Sequence, residues 1–96
     1  MINRMLGLFK TKGYKKAIKK YSKSPDFDIE KLEAVIKTIQ KGEVLDLKYK
    51  DHELKGKYRG VRECHIEYDL LLLYQIDGDT LTLILVDLGS HSELFG

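Results

Sequence analysis

Three histidines and one cysteine are the side chains of this sequence best suited to chemistry. Cys64 and His65 are neighbours in the segment RECHIEYD (62–69), which also carries carboxylates on both sides of them. His52 and His91 lie in polar stretches before and after that segment. Such residues fit three kinds of site: a Cys-His nucleophilic pair, a group of metal ligands, or histidines that act as acid and base.

The segment RECHIEYD alternates as a β-strand does. Neighbouring residues of a strand point to opposite faces, so the Cys64 thiol and the His65 imidazole are held apart and do not form a nucleophilic pair. We predict a structural role for Cys64, because free cysteine is commonly buried. Arg62 interrupts the alternation unless it stands at the end of the strand. The predicted core face is Cys64, Ile66 and Tyr68, and the opposite face is Glu63, His65 and Glu67.

The metal and the acid–base alternatives both require the histidines to converge. No His-x-x-x-His or Cys-x-x-Cys pair is present, so spacing gives a metal site little specific support. Imidazole titrates near neutrality and can both take and give a proton. His91 follows an apolar strand in a small polar turn, a place that suits a site. Phe95, close behind it, is predicted either to anchor the end of the chain in the core or to offer a face for base stacking.

Two helices are predicted before the strands. A short apolar strand, Met5–Phe9, precedes a lysine-rich helix around Lys15–Tyr21. Pro25 breaks that helix, and Asp26 or Asp28 can cap the next one by accepting from its free N–H groups. The second helix is predicted from the apolar stripe Ile29, Leu32, Val35, Ile36 and Ile39, with Gly42 placed to end it in a left-handed conformation.

A polar loop (45–62) leads into three predicted strands, 62–68, 70–76 and 80–88. Loops of this length in compact domains are more often functional than incidental. Asp77-Gly78-Asp79 is a typical hairpin turn between the last two strands. The middle strand, LLLLYQI, is apolar on both faces and is therefore predicted at the centre of the sheet.

Composition and charge limit the class of protein. The 96 residues suffice for one domain, predicted to span residues 1–96. One cysteine excludes an internal disulfide, no secretion signal or membrane-length apolar run is visible, and the cytoplasm is expected. The first 24 residues carry eight basic residues and no acid (+8), whereas 9 basic and 15 acidic residues follow (−6). This asymmetry fits attraction to a polyanion such as RNA, and equally a solvated helix face.

Three segments together resemble a known family. YKDHELKG (49–56), RECHIEYDLLLLY (62–74) and LGSHSELFG (88–96) are similar, in order and spacing, to the YafQ branch of the RelE/ParE toxin superfamily. Its members are ribosome-dependent mRNA interferases of bacterial type II toxin–antitoxin pairs. The resemblance covers the C-terminal half closely and the first 45 residues only in layout. It implies an α+β, microbial RNase-like RelE fold, with a short N-terminal strand and a two-helix hairpin packed on a small, mostly antiparallel sheet.

The resemblance also implies a catalytic site without a cofactor. RNA can be cut without metal when its 2′-OH attacks the adjacent phosphorus while histidines move protons, with acid and base left unassigned. Asp69 completes this set or instead fixes a histidine tautomer. This chain departs from some relatives at two positions: it has Glu63 where they have aspartate, and Leu70 where they have tryptophan. The implied catalytic residues are His52, His65, Asp69, His91 and Phe95.

Basic residues and partners complete the expectation. The implied partners are the ribosome, its messenger, and an acidic, DNA-binding antitoxin of the DinJ or RelB kind, with no membrane. Two alternatives stay open: a gyrase-binding toxin of the ParE kind, which would not need three histidines, and a non-catalytic relative that binds only its antitoxin. The residues predicted to contact RNA are Lys15, Lys16, Lys19, Lys20, Lys50, Lys55, Lys57, Arg59 and Arg62.

Overall fold

One mixed five-stranded sheet and two helices form the body of the protein. The computed structural model describes residues 5–96, and Arg4 of the basic first quarter lies outside them. The strand order is β1-β5-β4-β3-β2, in which β1 runs parallel to β5 and all other neighbours are antiparallel. This confirms the predicted α+β class. The elements are β1 (Gly7–Lys10), α1 (Lys12–Tyr21), α2 (Ile29–Gln40), β2 (His52–Glu53), β3 (Arg62–Glu67), β4 (Leu70–Asp77), β5 (Thr82–Gly89) and α3 (His91–Phe95), with two 3-10 turns at Leu47–Tyr49 and Gly56–Tyr58.

The helices begin and end at recognisable residues. The Thr11 side chain accepts from the backbone N–H of Tyr14 and caps α1, while its hydroxyl donates to the carbonyl of Val86 on β5. Asp28, one of the two predicted caps, accepts from the N–H of Lys31 at the start of α2. Gly42 has φ +74° after α2, as predicted. Buried residues of both helices pack in one core with residues from one face of the sheet.

The core lies between the two helices and that face. The predicted stripe of α2 is buried except for Ile29, which lies exposed in the first turn. Cys64 is fully buried among these residues, and Leu70 is also in the core. The core residues supplied by the strands are Cys64, Ile66, Leu70, Leu72, Tyr74, Leu83, Leu85 and Leu88.

The prediction for Tyr68 was wrong. The register of β3 against β4 shifts between His65 and Glu67, so the alternation that places Cys64 and Ile66 inward does not continue past the irregularity. β3 ends at Glu67, and Tyr68 lies in the turn that follows, 95% exposed. Arg62 is the first residue of the strand, which explains its departure from the pattern.

The second face of the sheet has an apolar floor of its own. Leu71 and Leu73 of β4 are buried but lie outside the main core cluster. They pair with His65 and Glu63 across the strands, and paired residues share a face. This face therefore carries the side chains that β3 does not direct into the core. Across residues 5–96, none of the helices is long and apolar enough to cross a bilayer.

Candidate active site

Sheet pairing brings His52, Glu63 and His65 together. His52 of β2 stands opposite Glu63 of β3, and His65 lies two residues further along β3 on the same face. The Nε2 atoms of His52 and His65 lie 3.5 and 3.3 Å from the same carboxylate oxygen, Oε1 of Glu63. Glu63 is only 5% exposed, whereas both rings reach solvent. A buried carboxylate therefore lies between two imidazole rings.

The second nitrogen of His52 is also engaged. Its Nδ1 lies 2.7 Å from the backbone carbonyl of Lys50, which requires the proton to be on Nδ1. Lys50 adopts a left-handed conformation, φ +50°, that is uncommon for a side chain other than glycine. Both nitrogens of His52 therefore face hydrogen-bond acceptors.

A half-buried network fixes the segment that carries His52. The Arg62 guanidinium donates to both carboxylate oxygens of Asp51, at 3.0 and 3.4 Å, and the Tyr74 hydroxyl donates to the same carboxylate. Asp51 raises the pKa of Arg62, and burial together with the bond to Asp51 raises the pKa of Tyr74. The charge of Arg62, predicted to contact RNA, is thus partly neutralised within the protein.

His91 reaches the same surface from the β5 side of His65. It begins α3, directly after β5, and Oδ1 of Asp69 accepts from its backbone N–H at 2.9 Å and from its Nδ1 at 2.7 Å. The backbone bond, and then the imidazole, hold the pKa of Asp69 below its usual value. The rings of His65 and His91 lie 5.7 Å apart between centroids. Because the Nδ1–H of His91 donates to Asp69, the Nε2 atom of His91 keeps a free lone pair.

Glu93 ties this short helix to α1. Its carboxylate accepts from the Ser90 backbone N–H in a capping box, and also from the Lys20 ammonium and the Tyr21 hydroxyl. These bonds, with Lys20 and then Tyr21 as the main causes, lower the pKa of Glu93 to about 2. Lys20, predicted to contact RNA, is therefore already ion-paired, and it connects the basic helix to the helix that carries His91.

Phe95 is partly packed and partly exposed, which is compatible with both of its predicted roles. Its ring contacts Tyr58 edge to face, with centroids 5.3 Å apart, yet it remains 39% exposed. Seven of the residues predicted to contact RNA are exposed on α1 and in the segment before β3: Lys15, Lys16, Lys19, Lys50, Lys55, Lys57 and Arg59.

Three side chains have the donor types and spacing of a metal site. Glu63, His65 and His91 each offer one ligand atom, and these atoms all lie within 4.8 Å of one another. One carboxylate oxygen and two imidazole nitrogens suit zinc or copper. Sequence spacing did not predict this group, because its members come together only through the sheet.

Sequence reasoning also missed the roles of Glu63, Asp51 and Glu93. Alternation had placed Glu63 beside His65, and that shared face was the available signal, but nothing local predicts that the carboxylate is buried between two rings. The capping box of Ser90 and Glu93 is visible as S-x-x-E in the sequence. Asp51 gives no such signal.

The YafQ family model, described as a bacterial toxin of type II toxin–antitoxin system, matches residues 7–96. The mRNA interferase toxin YafQ of Escherichia coli strain K12 is 40% identical over 48 residues. That alignment covers half of this chain and half of the relative.

Solved structures agree over nearly the full length. A metal-bound toxin from Helicobacter pylori is 46% identical, with a TM-score of 0.89 over 95% of this chain and 100% of that one. The toxin–antitoxin complex of DinJ and YafQ from E. coli contains a chain that is 30% identical, with a TM-score of 0.84 over 99% of this chain and 100% of that one. The predicted fold is therefore that of solved YafQ structures.

Proposed function

This chain belongs to the YafQ family of toxins from bacterial type II toxin–antitoxin systems, and we propose that it is an endoribonuclease that cleaves messenger RNA on the ribosome and so inhibits translation. The observation that carries the proposal is the convergence of His52, His65 and His91, with the carboxylates of Glu63 and Asp69 behind them, on one surface. The E. coli relative bears the name mRNA interferase.

The proposed reaction needs only proton transfer and charge. A base takes the proton of the 2′-OH, the 2′-oxygen bonds to the adjacent phosphorus, and the bond from phosphorus to the 5′-oxygen breaks. An acid gives a proton to that leaving oxygen, so that the products are a 2′,3′-cyclic phosphate and a 5′-OH. Cationic groups stabilise the more anionic phosphate of the transition state. No step requires a metal ion.

Hydrogen bonding distinguishes the roles of the histidines. His91 uses Nδ1–H on Asp69 and keeps the Nε2 lone pair, which makes it the base. The Nδ1–H of His52 donates to the Lys50 carbonyl, and its Nε2 lies 3.5 Å from the Glu63 carboxylate, an acceptor that faces a proton on Nε2 rather than a lone pair. We therefore assign His52 as the acid. His65, beside both Glu63 and His91, completes the set of histidines around the phosphate.

Exposed basic side chains support docking on ribosomal RNA. Attraction to phosphates is independent of sequence and weakens with salt. The cytoplasm, where ribosomes work, is the expected compartment. A DinJ- or RelB-like acidic antitoxin is the proposed partner, because the neighbour from E. coli is found in a complex with DinJ. The surfaces proposed to contact RNA are α1, with Lys15, Lys16 and Lys19, and the loop with Lys55, Lys57 and Arg59.

The test is cleavage of a defined messenger on purified translating ribosomes. Wild-type protein should cut the messenger and leave a cyclic phosphate, and His52→Ala, His65→Ala and His91→Ala should each lower the rate. Growth arrest without any messenger cleavage by the wild type would refute the nuclease and favour a gyrase-binding toxin. Binding of antitoxin with neither arrest nor cleavage would indicate a non-catalytic relative.

We also propose that a transition metal binds at Glu63, His65 and His91 and inhibits cleavage. The donor geometry and the metal-bound toxin of H. pylori support this. A bound ion would occupy imidazole lone pairs that the reaction needs. Micromolar Zn²⁺ or Cu²⁺ should slow the wild type, and a chelator should restore the rate. If chelation abolishes cleavage while magnesium suffices for ribosome integrity, catalysis depends on the metal instead.

A further inference from the structure

Tyr68 is a large aromatic residue that the fold leaves almost entirely in water. It is 95% exposed and lies in the turn between β3 and β4, directly before Asp69. It is not among the residues that form or pack against the core. Packing therefore does not explain an aromatic side chain at this place, directly after the strand that carries His65. A flat, exposed ring beside a nuclease site is suited to stacking on a base.

A basic depression of about 300 Å³ lies beside this ring. Its walls include Lys31, Lys48, Lys50, Tyr49, His65 and Tyr68. Lys31 is paired with Glu67 at 2.7 Å. Among residues 5–96, Lys48 and Lys50 take part in no ion pair. The depression therefore offers an aromatic face together with two uncompensated positive charges.

Two residues connect the depression to the catalytic groups. His65 lines its wall and also contacts Glu63 at 3.3 Å within the histidine cluster. Lys50 lines it while its carbonyl accepts from His52. When the scissile phosphate of an RNA strand lies at the histidines, the adjacent nucleotide therefore reaches the depression.

We propose that Tyr68, Lys48 and Lys50 form a subsite for the nucleotide next to the scissile phosphate. The base stacks on the Tyr68 ring, and the following phosphate lies near the two ammonium groups. This inference rests on the proposed function, because the ligand is the messenger substrate. Stacking tolerates any base, so the subsite contributes affinity and alignment and does not select a codon.

The first test compares Tyr68→Ala with Tyr68→Phe in the cleavage assay on ribosomes. Loss of one stacked base should raise KM about tenfold and leave kcat nearly unchanged, because the contact is the same in the ground and transition states. Tyr68→Phe keeps the ring and should match the wild type. The control is Val44→Ala, at a side chain that is 93% exposed and outside the depression. A wild-type KM for Tyr68→Ala would overturn the subsite and leave the nuclease standing.

The second test measures binding without cleavage. A 2′-O-methyl RNA trinucleotide, which cannot be cut, should shift the NMR signals of Tyr68, Lys48 and Lys50, and Tyr68→Ala should weaken its binding about tenfold. Lys48→Ala should reduce the salt slope of log K by about 0.7, the value for one phosphate of a single strand. Binding of this kind by a wild type that cuts nothing would refute the nuclease and keep the subsite. Shifts elsewhere, or a Tyr68→Ala effect confined to antitoxin binding, would overturn it.

Discussion

The buried carboxylate of Glu63 gives the sharpest test of the proposed chemistry. In Glu63→Gln the side chain keeps its shape and one acceptor oxygen but loses its charge. Two unit charges about 4 Å apart interact by about 4 kcal/mol at an effective dielectric constant of 20. The Glu63–His52 distance is 3.5 Å, and His52 is half exposed, so solvent screens the interaction. We therefore take about half, or roughly 2 kcal/mol, as the loss, which is about thirtyfold in rate.

The loss should appear in the chemical step, because the carboxylate contacts the rings of His52 and His65. The assay is single-turnover cleavage on programmed ribosomes, with the rate constants of the wild type and the variant compared under the same conditions.

The matched control for Glu63→Gln is Glu67→Gln. Glu67 lies on the same strand, but its carboxylate is exposed and binds Lys31 instead of a catalytic ring. Its variant should stay within about twofold of the wild type, since exposed ion pairs contribute little. A Glu63→Gln rate that also stays within about twofold of the wild type would refute the role of the buried carboxylate.

Three further predictions concern other groups of the protein. A messenger whose 5′-bridging oxygen is sulfur needs no acid, so it should rescue His52→Ala and not His91→Ala; equal rescue would refute the assigned roles. Glu93, with its pKa near 2 in the folded protein against 4.5 ordinarily, should contribute about 1 kcal/mol after solvent screening. This stability is present above pH 4.5 and is lost as pH falls toward 2; urea unfolding should show the loss in the wild type and not in Glu93→Gln. Burial raises the pKa of Cys64 to about 12, so iodoacetamide at pH 8 should label this thiol only after unfolding, and Cys64→Ala should keep cleavage; labelling of the folded protein would contradict its burial.

Local patterns sufficed for much of the fold. Helical spacing predicted α1 and α2, a capping aspartate predicted the start of α2, and alternation predicted the burial of Cys64 and the exposure of His65 toward another surface. The β1–β5 pair could not be predicted in this way, because its parallel partners come from opposite ends of the chain. β2 has two residues, His52 and Glu53, and so is too short to show a period.

The site was harder to predict than the fold because its geometry depends on pairing across strands. The resemblance identified the three histidines but not their arrangement in space. The pairing of His52 with Glu63 places a buried carboxylate between His52 and His65. The irregularity after His65 likewise turns Tyr68 outward against its alternation. Such features follow from register, and register is decided by the whole sheet.

The proton-transfer groups are held by two kinds of support that differ in strength. His52 and His65 stand on paired strands over the buried Leu71 and Leu73, with Glu63 between them. His91 stands on a helix of five residues, which is too short to be stable alone and is held by exposed contacts of Asp69 and Glu93. Local unfolding begins where the fewest buried contacts hold the structure. Loss of catalytic alignment should therefore begin at α3 while the sheet remains folded, and hydrogen exchange should be faster at the amides of α3 than at those of β3 and β4.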